Sequence, residues 1–185
     1  MELDSCIKGR RSVRTFKDEI VPKEKIETIL EAGVWAATGM NRQPWHFVVI
    51  ENKDVIKFIS DETKKAVREA MPAIANRFET DDDIICYNAP ALILICTKVD
   101  QTFSQINLRD SVLAAQNIFL KAFELGLGTC YMGWIDLMDQ NRPEVLKKAG
   151  LPDGYEMQVS LILGYPKNKS GSGKRNKANV LKWIK

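Results

Sequence analysis

The longest helical pattern in the sequence, from about Ser104 to Leu125, is apolar on two sides. Leu108, Val112, Ala115, Phe119 and Ala122 recur at the spacing that lines one helix face, while Leu113, Leu120 and Phe123 add a second apolar side. A helix covered nearly all round belongs either in the middle of a core or in an interface between subunits, because leaving that much hydrocarbon in water is costly. A chain of 185 residues has room for one core that buries most of the surface exposed on unfolding. This helix therefore sets the layout that every other element must accommodate.

The remaining elements follow from their own periodicities. Ala91 to Cys96 is apolar at every position, which predicts a central strand covered on both faces and ending near Thr97. Phe47 to Ile50, followed by Glu51-Asn52, reads as a buried strand and a turn, and Val159 to Leu163 as another strand. Val21 to Ala37 reads as a helix, with Pro22 and Glu24 in its first turn and Ile26, Ile29, Leu30, Gly33 and Val34 at helical spacing. The lysine-rich stretch Lys53 to Arg77 is predicted helical and surface-facing, and a polar helix is expected between Asp139 and Ala149. Asp81-Asp82-Asp83 reads as a solvated loop or helix start, without an EF-hand pattern around it. After Gly164 the composition changes: Pro166, Ser170, Gly171, Ser172 and Gly173 mark a linker to a basic patch and a final Val180-Leu181-Lys182-Trp183-Ile184. Helices and strands alternate, but Gly126-Leu127-Gly128 follows a helix and precedes a strand, the wrong context for a dinucleotide fingerprint. The expected class is α+β, a mixed sheet flanked by helices.

Charge and ligand chemistry narrow the function classes. The 27 basic and 24 acidic side chains leave a net charge of +3, too small for a nucleic-acid footprint unless clustered. Clusters do occur, at Arg10, Arg11 and Arg14 and at Lys174, Arg175 and Lys177, but exposed aromatics are not interleaved with them, which disfavours an RNA-binding module. Four cysteines without a C-x-x-C pair, and the single histidine His46, exclude the ligand spacing of zinc and iron–sulfur sites. The N-terminal MELDSCIKGRR has no apolar signal region and no stretch approaches a membrane span, so a soluble cytoplasmic chain with reduced thiols is expected.

Three constellations carry candidate chemistry. Arg10-Arg11-Ser12-Val13-Arg14 packs three guanidinium groups and a hydroxyl into five residues. Such a group either clamps a phosphate bidentately or is solvated surface. Thr38-Gly39-Met40-Asn41-Arg42-Gln43-Pro44-Trp45 is a turn-rich link between helix and strand. Its Asn41 and Gln43 are able to read the amide-like edge of a heterocycle, and the alternative is a capped connection above a core tryptophan. In Gly126-Leu127-Gly128-Thr129-Cys130-Tyr131-Met132-Gly133-Trp134 the glycines let backbone approach a flat ligand, or simply terminate a helix. Cys130 sits among apolar neighbours far in sequence from His46, which points to an inert thiol. A lone histidine leading into a strand reads as structural.

Taken in order, these pieces resemble the nitroreductase family of FMN flavoproteins over nearly the whole chain. The likeness rests on R-R-S-V-R with F and V-P at Arg10 to Pro22, N-R-Q-P-W-H-F at Asn41 to Phe47, N-A-P at Asn88 to Pro90, G-L-G-T-C at Gly126 to Cys130, and L-G-Y-P at Leu163 to Pro166 before the basic tail. The resemblance implies an intertwined α+β homodimer with two FMN molecules at the subunit interface. On this likeness residues 1–185 would form one FMN-binding domain whose tail, 165–185, packs on the partner. It also implies that Arg10, Arg11, Ser12 and Arg14 of one subunit hold the cofactor, with Arg14 stabilising charge on the reduced flavin. Thr38, Gly39, Asn41 and Gln43 approach from the other subunit. Tyr131, Met132 and Gly133 line the ring, with backbone N–H groups of Met132 and Gly133 toward N5 or O4, and Lys174 and Arg175 converge with Arg10 on the phosphate. The implied activity is ping-pong transfer of hydride from NAD(P)H through FMN to a nitroaromatic, quinone or similar planar acceptor. A same-fold specialised reductase or dehalogenase, or an electron carrier without NAD(P)H activity, shares these motifs. Ala37-Thr38 stands where many relatives carry Pro-Ser, so Thr38 takes over the serine contact, and residues 66–80 give no match for the substrate pocket wall.

Overall fold

Ala91–Lys98 forms β2, and its first seven residues are buried, as an uninterrupted apolar run requires. The computed structural model describes residues 1–168, 171 and 173–184; Ser170 and Ser172 of the expected linker lie outside the described residues. β2 pairs on one side with β1 (His46–Ile50) and on the other with β4 (Tyr155–Gly164), which in turn pairs with β3 (Gly128–Tyr131). All three pairings are antiparallel, with Ile50 opposite Leu92, Ala91 opposite Leu163 and Gly128 opposite Gly164. The parallel element of the sheet is the isolated bridge between Ser12 and Thr129.

Alternation along β2 and β4 feeds two cores. Ile93, Ile95, Leu161 and Leu163 face α2 (Lys23–Val34) and α4 (Ser104–Glu124), meeting Ile26, Ile29, Ala115 and Ile118. Leu92, Leu94 and Ile162 face α3 (Lys53–Ala70), α5 (Gly133–Asn141) and α6 (Pro143–Lys148), meeting Ile59, Val67, Ile135 and Leu146. Helices on both faces of one sheet make a three-layer α+β domain. A short α1 (Leu3–Gly9) packs on α4. Among the described residues no helix is long and apolar enough to cross a membrane.

Several sequence expectations change in three dimensions. β1 is an edge strand rather than a buried one, and Val49 is 36% exposed, because β2 spends its other edge on β4. α3 is not merely surface-facing: Ile56, Ile59, Thr63 and Val67 bury one stripe. Lys64 is itself buried there, with its ammonium donating to the carbonyls of Thr80 and Asp82 at 3.0 and 3.3 Å. Asp83 is a cap rather than a solvated charge, accepting from Ser60 Oγ and from the N–H groups of Cys86 and Asn88. The polar helix expected over Asp139–Ala149 is two helices, because Pro143 has no N–H to continue α5 and instead opens α6. α4 meets the sheet with Ala114, Ala115, Ile118 and Ala122, yet Leu108, Val112 and Leu113 are 45%, 51% and 47% exposed. This chain alone does not cover α4 all round, so burial in the middle of the core is excluded for that apolar side.

Candidate functional site

The arginine segment runs beside β3. Val13 N–H donates to the Thr129 carbonyl at 2.9 Å, and in such extended chain alternate residues face opposite ways. Val13 turns inward, and β3 admits it because position 128 is glycine: a Cβ there would stand 2.7 Å from Val13 Cγ2. Arg10 and Arg11 line one cavity beside this segment, and Arg14 lines another. The Arg10 guanidinium lies 5.8 Å from the centroid of Phe119 on α4. Burial, followed by the positive charges of Arg175 and Arg11, lowers its pKa from the usual arginine value. Arg11 donates through Nη1 to the carbonyls of Lys8 and Arg10, both at 2.7 Å, while its Nε is buried without a hydrogen-bond partner among the described residues. Gly173 crosses Arg11 so closely that a Cβ would fall 2.6 Å from that Nε. The tail thus brings Arg175 into the field of Arg10. Lys174 is exposed, and its carbonyl accepts from Arg175 at 2.9 Å.

A cavity of about 630 Å³ opens here, lined by Lys8, Arg10, Arg11, Phe123, Thr129 and Asn168 among others, and among the described residues no carboxylate lines it. Among the described residues, none of Arg10, Arg11, Arg14 and Arg175 makes an ion pair with an acidic side chain. Like charges assembled without counter-charges favour an anion, and guanidinium forks match phosphate oxygens.

A second cavity, of about 330 Å³, is bounded by Arg14, Tyr87, Tyr131, Met132, Gly133 and Trp134. Arg14 lies 5.9 Å from the centroid of Tyr87. Tyr87 and Asn88 both take left-handed backbone angles, φ 55° and 51°, a conformation steadied by the Asn88 N–H donating to Asp83 at 2.8 Å. Trp134 is braced edge-on by Phe78 at 5.4 Å, so the unmatched 66–80 region reaches this cavity's wall from behind. The Met132 N–H is not free to face a ligand, because it donates to the Ser160 carbonyl at 3.0 Å. Gly133, as first residue of α5, leaves its N–H without an intrahelical acceptor, so the expectation for the pair narrows to Gly133. Tyr131 lies over Gly133 and donates its hydroxyl to Asp136, a residue the sequence reading missed.

The Thr38–Gln43 loop is built differently. Thr38 Oγ1 donates to Asp110 Oδ2 at 2.7 Å and accepts from Gln43 N–H at 3.2 Å, and the Gly39 N–H donates to the same carboxylate at 3.2 Å. Gln43 Nε2 donates to Asn41 Oδ1 at 3.2 Å. Met40, Asn41 and Gln43 all have positive φ, at 54°, 54° and 47°. Arg42 stacks on Phe103 at 4.0 Å and donates to Asn107 at 3.0 Å and Asp100 at 3.4 Å. Thr38 and Gly39, assigned direct cofactor contacts from the sequence, are therefore engaged by α4. Asn107 and Asp110 are buried polar residues one turn apart in an apolar helix pattern, the one local signal that marks them.

One chain does not bring the two groups together. Asp110 grips the loop and Phe119 underlies Arg10, nine positions apart on α4 or about 13 Å along its axis. His46 joins neither group, with Nδ1 3.1 Å from the Pro44 carbonyl and its ring edge-on to Tyr155 at 4.8 Å. Among the described residues no cluster of three or more metal-ligating side chains occurs.

Comparison with known proteins gives a consistent picture. The model of the nitroreductase family matches residues 7–165. A putative NADH dehydrogenase/NAD(P)H nitroreductase of Methanothermobacter thermautotrophicus is 31% identical over 176 residues, covering 93% of this chain and 81% of that protein. An iodotyrosine deiodinase of Thermotoga neapolitana is 28% identical over 182 residues, covering 94% of this chain and 93% of that one. Among solved structures, a nitroreductase with bound FMN from Desulfitobacterium hafniense superposes with a TM-score of 0.84 at 27% identity, covering 98% of this chain and 100% of that one.

Proposed function

This chain belongs to the nitroreductase family, and from that premise we propose that it is an FMN-dependent oxidoreductase, working as a homodimer, that passes hydride from NAD(P)H to a planar acceptor such as a quinone or nitroaromatic. The observation that carries the proposal is the group of arginines that, among the described residues, have no acidic partner and border a cavity without a carboxylate. Arg10, Arg11 and Arg175, with Lys174, neutralise the phosphate through their clustered positive charge. Ser12, bridged to Thr129 of β3, adds a hydroxyl to this group. Arg14 and the Gly133 N–H suit the polar edge of the flavin ring, where a fixed guanidinium in a poorly solvated place stabilises negative charge. FMN, when bound, supplies hydride acceptance and donation. The protein's part is to orient donor and acceptor in turn at one place and to keep water out.

The homodimer supplies what one chain lacks. Leu108, Val112 and Leu113 leave an apolar side of α4 uncovered between the latched loop and the arginines. A second copy packed there brings its own Thr38–Gln43 loop toward the arginine group and buries the side chains that the sequence pattern marks for burial. The likeness to an iodotyrosine deiodinase favours a second reading, a same-fold reductive dehalogenase.

Anaerobic titration of the purified yellow protein with NADH and with NADPH is the test, followed by reoxidation with a quinone, a nitroaromatic and a halogenated phenol. Bleaching by a reduced nicotinamide and recovery with quinone or nitroaromatic are expected. Recovery with the halophenol alone selects the dehalogenase. A folded protein that sediments as a monomer and takes up no FMN overturns the proposal.

A further inference from the structure

Reduction of a quinone by hydride consumes one proton as well, and the second cavity holds one hydroxyl connected to a half-buried carboxyl group. The geometry points to Tyr131 as the proton donor to the acceptor, reloaded by Asp136, with Ser160 as a positioning residue behind them. This inference rests on the oxidoreductase reading above.

The placement comes from the backbone. Tyr131 ends β3, Gly133 opens α5, and the phenol ring folds over that glycine, so that a Cβ at Gly133 would meet Tyr131 Cε1 at 3.2 Å and the hydroxyl at 3.8 Å. The ring is half exposed and lines the same cavity as Arg14. Behind it, Asp136 in the first turn of α5 receives the Tyr131 hydroxyl on one oxygen and lies 3.2 Å from Ser160 Oγ on the other. Ser160 has a second acceptor, the Met132 carbonyl at 3.0 Å, so its single proton serves one of the two at a time. The charged groups around are Asp139 on the same helix, Glu156 on β4 and Arg14 across the cavity, and among the described residues no lysine or arginine bonds to Asp136. Burial holds the Asp136 carboxyl above the usual carboxylate range, against the opposing pull of its bonds to Tyr131 and Ser160. Asp139, one turn on, is pushed up to about 6 by burial and by the charges of Asp136 and Glu156.

Two states follow. With Asp136 ionised, the phenol proton is held on the carboxylate and points away from the cavity. With Asp136 protonated, its O–H donates to the phenol oxygen and the tyrosine hydroxyl is released to donate into the cavity. When an acceptor carbonyl takes up hydride, the phenol O–H bond breaks as the acceptor O–H bond forms. The carboxyl O–H breaks as the phenol is restored, and Asp136 is left as a carboxylate that water reprotonates. The sum is quinone plus hydride plus one proton giving hydroquinone, with the electrons supplied by the reduced nicotinamide through the cofactor.

The test compares the unsubstituted protein with Tyr131→Phe and Asp136→Asn. Reduced, flavin-loaded protein is reoxidised by a benzoquinone, which needs a proton, and by ferricyanide, which takes none. The ratio of quinone to ferricyanide rates is expected to fall roughly tenfold or more in Tyr131→Phe, as loss of a general acid does, and its pH dependence is expected to vanish in Asp136→Asn. A second readout needs no flavin: carbon-13 resonances of the Asp136 carboxyl in the apo protein should titrate above the ordinary carboxylate range. They should move higher still in Tyr131→Phe, because the lost hydrogen bond favoured the charged form. An unchanged rate ratio, or an Asp136 titration indifferent to Tyr131, overturns this inference alone. An unsubstituted chain that takes up no FMN overturns it together with the reading it rests on.

Discussion

Arg42 spreads its guanidinium over Phe103 and donates to Asn107 and Asp100, whereas Arg10, at the end of α1, faces Arg175 and Arg11 with no acidic side chain bonded to it among the described residues. The two arginines differ in nothing but their surroundings. Around Arg42 the whole Thr38–Gln43 loop is latched to α4, and its left-handed residues are held in a conformation that an isolated peptide would rarely adopt. Around Arg10 the charges repel one another, and the tail crosses over them. One region spends its charged and polar side chains on bonds across the fold, and the other leaves Arg10 and Arg14 without an acidic partner among the described residues. This difference separates residues whose loss should be read in stability from those whose loss should be read in binding.

Removing Arg10 and Arg14 together, both to Ala, gives the largest effect. Each charged hydrogen-bond contact is worth about 1.5–3 kcal/mol, so FMN affinity should weaken by roughly 10²- to 10⁴-fold, measured by fluorescence quenching titration. The urea midpoint should stay close to that of the unsubstituted protein, and retained affinity would break the contrast. Asp110→Ala comes next. It strips the Thr38 hydroxyl and the Gly39 N–H of their shared acceptor and should cost about 2–3 kcal/mol in urea unfolding. A loss below about 0.5 kcal/mol, the range of an ordinary surface change, would show that the latch is not there. Arg42→Met is the smallest and sharpens the contrast most. Losing a ring contact and partly exposed polar bonds should cost about 1 kcal/mol in thermal unfolding, with FMN affinity changing far less than in the Arg10 and Arg14 variant.

Much of this was legible in the chain itself. The central placement of β2 follows from its unbroken apolar run, and the length of α4 from its helical spacing, because burial periodicity is a local property of consecutive residues. The pairing of the two basic groups was implied by the ordered motifs, and the tail does bring Arg175 beside Arg10. Elsewhere the structure adds bonds that the sequence does not show. Thr38 and Gly39 were read as ligand contacts, yet their partner Asp110 lies 72 and 71 positions on. The Met132 N–H was read as free, yet Ser160 takes it from a strand 28 residues away.

The sequence by itself determined which segments become helix or strand, which sides of them are apolar and which residues carry positive charge, since each of these is written in neighbouring side chains. Only the tertiary structure decided which polar groups are already satisfied. A hydrogen bond needs two groups within about 3 Å, and across Thr38 and Asp110, or Asp136 and Ser160, that proximity is created by helices docking on a sheet and leaves no trace in local spacing.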